Sequence, residues 1–209
     1  MSWTRAIVNP TTGIAALASL VCVVDPALAA PPGHWSVAVE RLFGVSHTWR
    51  RSADLPARET EQSSVSVLTQ RGEGTPYAAT RLGFDYLFDF GLSLGGALGF
   101  SEFEYDYDYD DYRDKTALLA PRAGFFLRPL PELGVWVRSG LTLTTSTSKA
   151  TSITLEVPVI YLVPNHVVGV SVTPYWEYGV TRNDGIFELY GADQKVTEVG
   201  LSVGANAFF

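Results

Sequence analysis

Cysteine is almost missing from the chain, with one residue, Cys22, in 209. A disulfide needs a partner and a thiolate metal site needs several thiols, so neither can staple this fold. Methionine occurs once and histidine three times, at His34, His47 and His166, which leaves few soft ligands and few general bases. Basic residues are the scarcer charge, 15 Lys and Arg against 22 Asp and Glu. The resulting net charge of −7 argues against a nucleic-acid partner. No apolar run reaches the about 20 residues that a membrane-spanning helix requires, and no 3.6-residue apolar period is sustained after residue 30.

The first thirty residues read as a leader. Arg5 precedes an apolar run over residues 13–24, which Asp25 and Pro26 stop before Ala27-Leu28-Ala29. That is the plan of a secretory signal peptide spanning 1–29 and cleaved after Ala29, leaving one cysteine-free domain over 30–209. Ser19-Leu20-Val21 ahead of Cys22 lack the small residue that a lipoprotein signal places before its cysteine.

What fills the remainder is period-two alternation, the pattern of strands with one apolar face. Over 91–103, Leu92, Leu94, Leu98 and Phe100 alternate with Ser93, Gly95, Ala97, Gly99 and Ser101. Over 168–181, Val168, Val170, Val172, Trp176, Tyr178 and Val180 oppose Gly169, Ser171, Thr173, Glu177 and Gly179. The last strand sets Val199, Leu201, Val203, Ala205, Ala207 and Phe209 against Glu198, Gly200, Ser202, Gly204 and Asn206. Similar alternation covers 78–88, 117–127, 133–145 and 153–163, which makes seven strands. The eighth, 35–49, places Arg41 on the face of Trp35, Val37, Val39, Phe43 and Val45. A lipid-facing arginine at mid-membrane costs roughly 2–4 kcal/mol, so either a bulge turns Arg41 inward or it lies near an interface. The stretch from Gln62 to Gln70 also alternates, as an extension of a neighbouring strand or as an additional one.

Connections at 89–90, 129–132 and 164–166 are tight, whereas 50–77, 104–115, 146–152 and 182–195 are polar and mostly longer. Short and long connections alternate along a membrane barrel, and in such a barrel the backbone pairs within a closed sheet while apolar residues face lipid. In the final residues, Ser202, Gly204, Ala207 and Phe209 fall where the insertion signal of bacterial outer-membrane barrels has a polar residue, a glycine and two hydrophobics. By this topology and end signal the chain resembles the small eight-stranded outer-membrane proteins, the group of the OmpA transmembrane domain, OmpX and OmpW. The resemblance implies an all-β, eight-stranded antiparallel transmembrane β-barrel with up-and-down meander connections. It also implies a Gram-negative outer membrane with both termini periplasmic and the long loops extracellular. The expected partners are outer-membrane lipids, lipopolysaccharide and the barrel-assembly machinery, and the expected state is a monomer.

Eight strands enclose an interior that side chains can fill. The inward set includes Glu40, Arg81, Asp85, Arg122, Arg138, Glu156, Glu177 and Glu198, five acids against three arginines. Charges of both signs in a narrow lumen will pair, which predicts a salt-bridged plug, a cell-envelope protein that displays loops and has no enzymatic activity. The alternative is a porin-like narrow channel for small or apolar solutes, which the acid excess would bias toward cations. A second alternative, a lipid A-modifying enzyme, would rest on His47, because His34 and His166 fall at the other end. Ser46 points to the opposite face from His47 and cannot serve it as nucleophile by adjacency.

The stretch SEFEYDYDYDDYRDK, residues 101–115, alternates acid with tyrosine. Continuing the parity of the strand below puts Glu102, Glu104, Asp106, Asp108 and Asp110 on the outward face. One reading is a loop kept soluble by its acids. The other is a shared Ca²⁺ or Mg²⁺ site with lipopolysaccharide phosphates, since both ions prefer oxygen ligands. No other cofactor is expected.

Overall fold

The computed structural model describes residues 31–52, 59–67, 79–107, 110–145, 148–163, 167–183 and 194–209. The expected leader at 1–29 lies outside the described residues, and so do His166 and residues 68–70.

Among the described residues ten segments carry the fold: β1 (Trp35–Ser52), β2 (Glu59–Val67), β3 (Arg81–Leu87), β4 (Leu92–Tyr107), β5 (Asp110–Leu130), β6 (Leu133–Thr145), β7 (Ser148–Glu156), β8 (Val159–Leu162), β9 (Val168–Asn183) and β10 (Gln194–Phe208). All pairings are antiparallel, and β10 returns to β1 so that the sheet closes. Two positions in the ring are each shared by two segments. On the side of β1 away from β10, β3 pairs with Trp35 to Glu40 and β2 with Phe43 to Arg51. Between β6 and β9, β7 and β8 stand end to end. Ten segments therefore make eight staves, and the protein is an eight-stranded antiparallel transmembrane β-barrel. Over its described part, residues 62–67, the alternating stretch pairs with β1 as an upper extension and adds no stave.

The break between β7 and β8 has a local cause. Pro158 has no N–H to give to the ladder, so the assignment lapses at 157–158. Hydrogen bonds still bracket it, from Trp136 N–H to the Pro158 carbonyl at 2.8 Å and from Val157 N–H to the Pro174 carbonyl at 3.0 Å. The pairs Arg138↔Glu156 and Val135↔Val159 keep one register across it, so the expected strand 153–163 survives as a single stave.

The break between β2 and β3 coincides with a bulge in β1. Val39 stands opposite Ala205 and Phe43 opposite Val203, so Glu40, Arg41 and Leu42 together face Gly204. At the centre Arg41 has a φ of 59°, the left-handed region that L-residues avoid. The bulge turns Arg41 into the lumen beside Glu40, and thereby decides the question its outward parity raised. Gly204 is what allows the two chains to approach here: a Cβ on it would lie 2.7 Å from the Val39 carbonyl oxygen.

Outside the ring, Val37, Phe43, Val45, Leu82, Phe84, Leu94, Leu98, Leu119, Leu141, Ile153, Val170, Val172 and Leu201 stay exposed, the face a barrel offers to lipid. Aromatic side chains edge that band. At the short-turn end Trp35 meets Tyr86 edge-on at 5.0 Å, and Tyr86 meets Phe88 at 4.9 Å. At the other end Trp176 and Tyr178 lie side by side with rings nearly parallel, near Trp49. Among the described residues no helix is long and apolar enough to cross a membrane, and the strands do the spanning.

Candidate functional site: a three-layered lumen

Alternation sends every second residue inward, and the inward residues form layers along the barrel axis. At the short-turn end the layer is apolar: Leu87, Phe126, Trp136, Ile160, Leu162 and Phe208 form one buried cluster. Phe126 meets Trp136 edge-on at 5.9 Å and Phe208 at the same distance. The Trp136 indole N–H donates to Ser93 Oγ at 2.8 Å, which satisfies the one polar atom of that ring.

Above it lies an ionic layer. Arg122 donates to both Asp85 oxygens, at 2.9 and 2.5 Å, and to Glu40 at 2.8 Å. Arg138 reaches the other Glu40 oxygen at 2.8 Å and Glu156 at 2.9 Å. Arg41 donates to Glu156 at 2.8 Å and to Glu177 at 2.7 Å, and Arg81 also donates to Glu177 at 2.9 Å. The groups thus run as one chain from Asp85 through Arg122, Glu40, Arg138, Glu156, Arg41 and Glu177 to Arg81. Glu198 stands at the edge, accepting from the Tyr175 hydroxyl at 2.8 Å and from Thr48 at 3.5 Å. The Arg41 guanidinium also lies over the Tyr175 ring, 3.9 Å from its centroid, and that ring packs over Gly200, where a Cβ would collide with it.

Nearer the long-loop end the lining becomes small and hydroxylic. Thr48, Thr116, Thr144 and Ser152 are buried there, and the Thr142 and Thr154 hydroxyls share a hydrogen bond at 2.9 Å. Ala97, Leu118 and Ala120 pack together beneath them. Beside the ionic layer, between Arg81, Arg122, Arg138 and Thr154, the free space is about 10 Å³. That is the size of a single water at most.

All eight inward charges named from the alternation are buried in this lumen. Sequence reasoning left Arg41 open between the lumen and an interface, and it missed Tyr175 and the whole apolar layer. With Arg41 inside, five acids face four arginines, and the acid excess shrinks to one. The signal for Arg41 was its own improbable outward parity, and for Tyr175 and Phe208 it was their place on the inward parity of β9 and β10. Of the insertion-signal positions, Ser202 and Gly204 face inward, while Ala207 and Phe209 lie on the outer side. Trp35 and Phe209 exchange backbone hydrogen bonds at 3.0 and 2.9 Å, which ties the two ends of the described chain together.

The histidines sit elsewhere. His34 lies at the short-turn end against the Leu87 carbonyl, 3.7 Å from Asp89. His47 is on the outer face of β1, its Nδ1 2.9 Å from Ser63 Oγ and its Nε2 4.0 Å from Glu61. Ser46 points inward and bonds Ser64, so the partner of His47 is the serine across the ladder rather than the one beside it. Along the acidic tyrosine stretch the backbone ladder runs from Glu102↔Lys115 to Tyr107↔Asp110. The side chains of Glu102, Glu104, Asp106 and Asp110, and all of Asp108, lie outside the described residues. Among the described residues no cluster of three or more His, Cys, Asp or Glu could hold a metal ion.

No family model matches the chain, and no curated protein does. Among solved structures it is similar to Neisserial surface protein A, with a TM-score of 0.51 at 13% identity over 84% of this chain and 97% of that one. It is also similar to Ail, the attachment invasion locus protein of Yersinia pestis, with a TM-score of 0.41 at 11% identity over 83% of this chain and 99% of that one. At such identity the likeness concerns architecture, and the chain has the fold of the small eight-stranded outer-membrane barrels.

Proposed function

We propose that the protein is a closed, non-conducting barrel of the bacterial outer membrane, with its long connections outside and its tight turns in the periplasm. In this reading it has no enzymatic activity and serves surface interaction or envelope integrity through those connections. The observation that carries it is the filled lumen, in which an apolar layer and a continuous ionic layer lie in series. Leaving one of those charges unpaired in an enclosed site is strongly unfavourable, so opening would require several pairs to exchange at once. The fold shared with Neisserial surface protein A supports the location. Purified protein in a planar bilayer is expected to be electrically silent, and steady unitary currents would favour the narrow-channel reading instead.

The lipid A-modifying alternative has less behind it. The contact of His47 with Ser63 is a direct cross-strand pair, the ordinary contact of an antiparallel ladder. Glu61 at 4.0 Å is beyond hydrogen-bond range and would not fix the imidazole as a base requires.

A further inference from the structure

The outer face of the long-loop end carries a cleft of about 530 Å³ where β2, β1, β10 and β9 run side by side. Two rows of outward residues cross it. The lower row is Glu61, Trp49, Thr197 and Tyr178, and the upper row is Glu59, Arg51, Lys195 and Val180. In the upper row Arg51 and Lys195 are direct cross-strand partners, both exposed. Like charges placed so are destabilising unless something negative lies between them. Arg51 has Glu59 on its other side, with Nε 3.8 Å from a carboxylate oxygen. Lys195 has Arg51 on one side and Val180 on the other.

Height identifies what fits. Below the cleft the row of Ser63, His47, Val199 and Trp176 is mixed, and beneath it the same face is apolar, with Phe43, Val45 and Leu201 exposed. Trp49 and Tyr178 mark the boundary, since such rings settle at the headgroup level of a bilayer. Arg51 and Lys195 stand one outward position above them, about 7 Å along the strand, where the phosphates of a lipid headgroup lie.

We propose that Arg51 and Lys195 form a binding site for a phosphate of outer-leaflet lipopolysaccharide, with Trp49 and Tyr178 flanking its sugar. This rests on the orientation given above, with the long connections outside. The phosphate bridges the two cations and cancels their repulsion, and Glu59 and Glu61 confine it to the β1–β10 side of the cleft. Anchorage here is therefore through cations on the outer face of the barrel and does not require a divalent ion.

The test is equilibrium binding of labelled lipopolysaccharide to the refolded full chain, with lipid A phosphates intact or removed. Wild type and Lys149→Gln, an exposed cation on β7 that does not line the cleft, are expected to bind the phosphorylated form about tenfold tighter than the dephosphorylated one. The double variant Arg51→Gln/Lys195→Gln is expected to lose that preference while folding normally, as both side chains are exposed. Should it fold poorly, Lys195→Gln alone carries the test and is expected to lose most of the preference. A double variant that still distinguishes the two forms overturns the site. So does a result in which the pair governs binding of a soluble sulfated polysaccharide and leaves lipopolysaccharide unaffected. Conductance of the same preparations separates the outcomes, because a silent barrel with no phosphate preference removes this site alone.

Discussion

Glu177 and Glu198 face each other across the β9–β10 ladder, both fully buried, and short hydrogen bonds reach them from groups of different kinds. Glu177 accepts from two guanidinium groups, whereas Glu198 accepts from hydroxyls of Tyr175 and Thr48. Glu177→Gln leaves Arg41 and Arg81 short of a counter-charge and is expected to destabilise the barrel by roughly 3–5 kcal/mol. Glu198→Gln retains an acceptor for the tyrosine and is expected to cost about 1 kcal/mol or less. Urea unfolding from lipid vesicles measures both, and equal losses would contradict this division of roles.

Arg41 offers a ranking. Its left-handed backbone costs about 1–2 kcal/mol, which glycine would relieve. Yet Arg41→Gly removes two ion pairs and the contact over Tyr175, so the variant is expected to be less stable than wild type. Arg41→Lys keeps the charge and loses the planar fork, and should fall between them. The order is read from the temperature at which the folded band disappears on a gel. A glycine variant as stable as wild type would show that the strain outweighs the pairs.

Two layers in series make a prediction for conductance. Trp136→Ala is expected to destabilise by roughly 3–5 kcal/mol and remain silent, because the ionic layer still closes the path. Arg138→Gln is likewise expected to be silent, held by the apolar layer. The combination should pass ions in a planar bilayer, and unitary currents from either single variant would mean that one layer alone makes the seal.

His47→Ala and Ser63→Ala are expected to leave the acyl and phosphate pattern of lipid A unchanged. Mass spectrometry of lipid A from cells carrying each variant is the measurement. A shift seen with wild type and lost in both variants would restore the enzyme reading.

The acid-rich hairpin is open to a separate experiment. If its acids share Ca²⁺ or Mg²⁺ with lipopolysaccharide, replacing Asp106, Asp108 and Asp110 with Asn should abolish the chelator-sensitive part of the melting temperature. An unchanged chelator response would leave those acids as a solvated loop.

Much of the barrel was legible because alternation is a local property that closure of the sheet preserves. Leu92 to Phe100 and Val168 to Val180 read correctly for that reason, and the expected strand 133–145 matches β6 end to end. The inward charges followed from the same parity. Arg41 did not, because a bulge shifts parity at one point and depends on a glycine near the other end of the chain, Gly204 on β10. The apolar layer was hidden differently. Trp136, Phe126 and Phe208 are hydrophobic residues on the polar parity, which a rule of polar-in and apolar-out discards. The split at Pro158 was written in the sequence, but its register needed the neighbouring strands.

The hairpin of β1 and β2 leans on the upper part of β1, while closure of the ring on that side is made lower down by β3. Its tip can thus be lengthened or exchanged without re-registering the wall beneath. With the long connections outside, as proposed, a foreign peptide spliced between β1 and β2 would be displayed on a scaffold whose interior never senses the cargo.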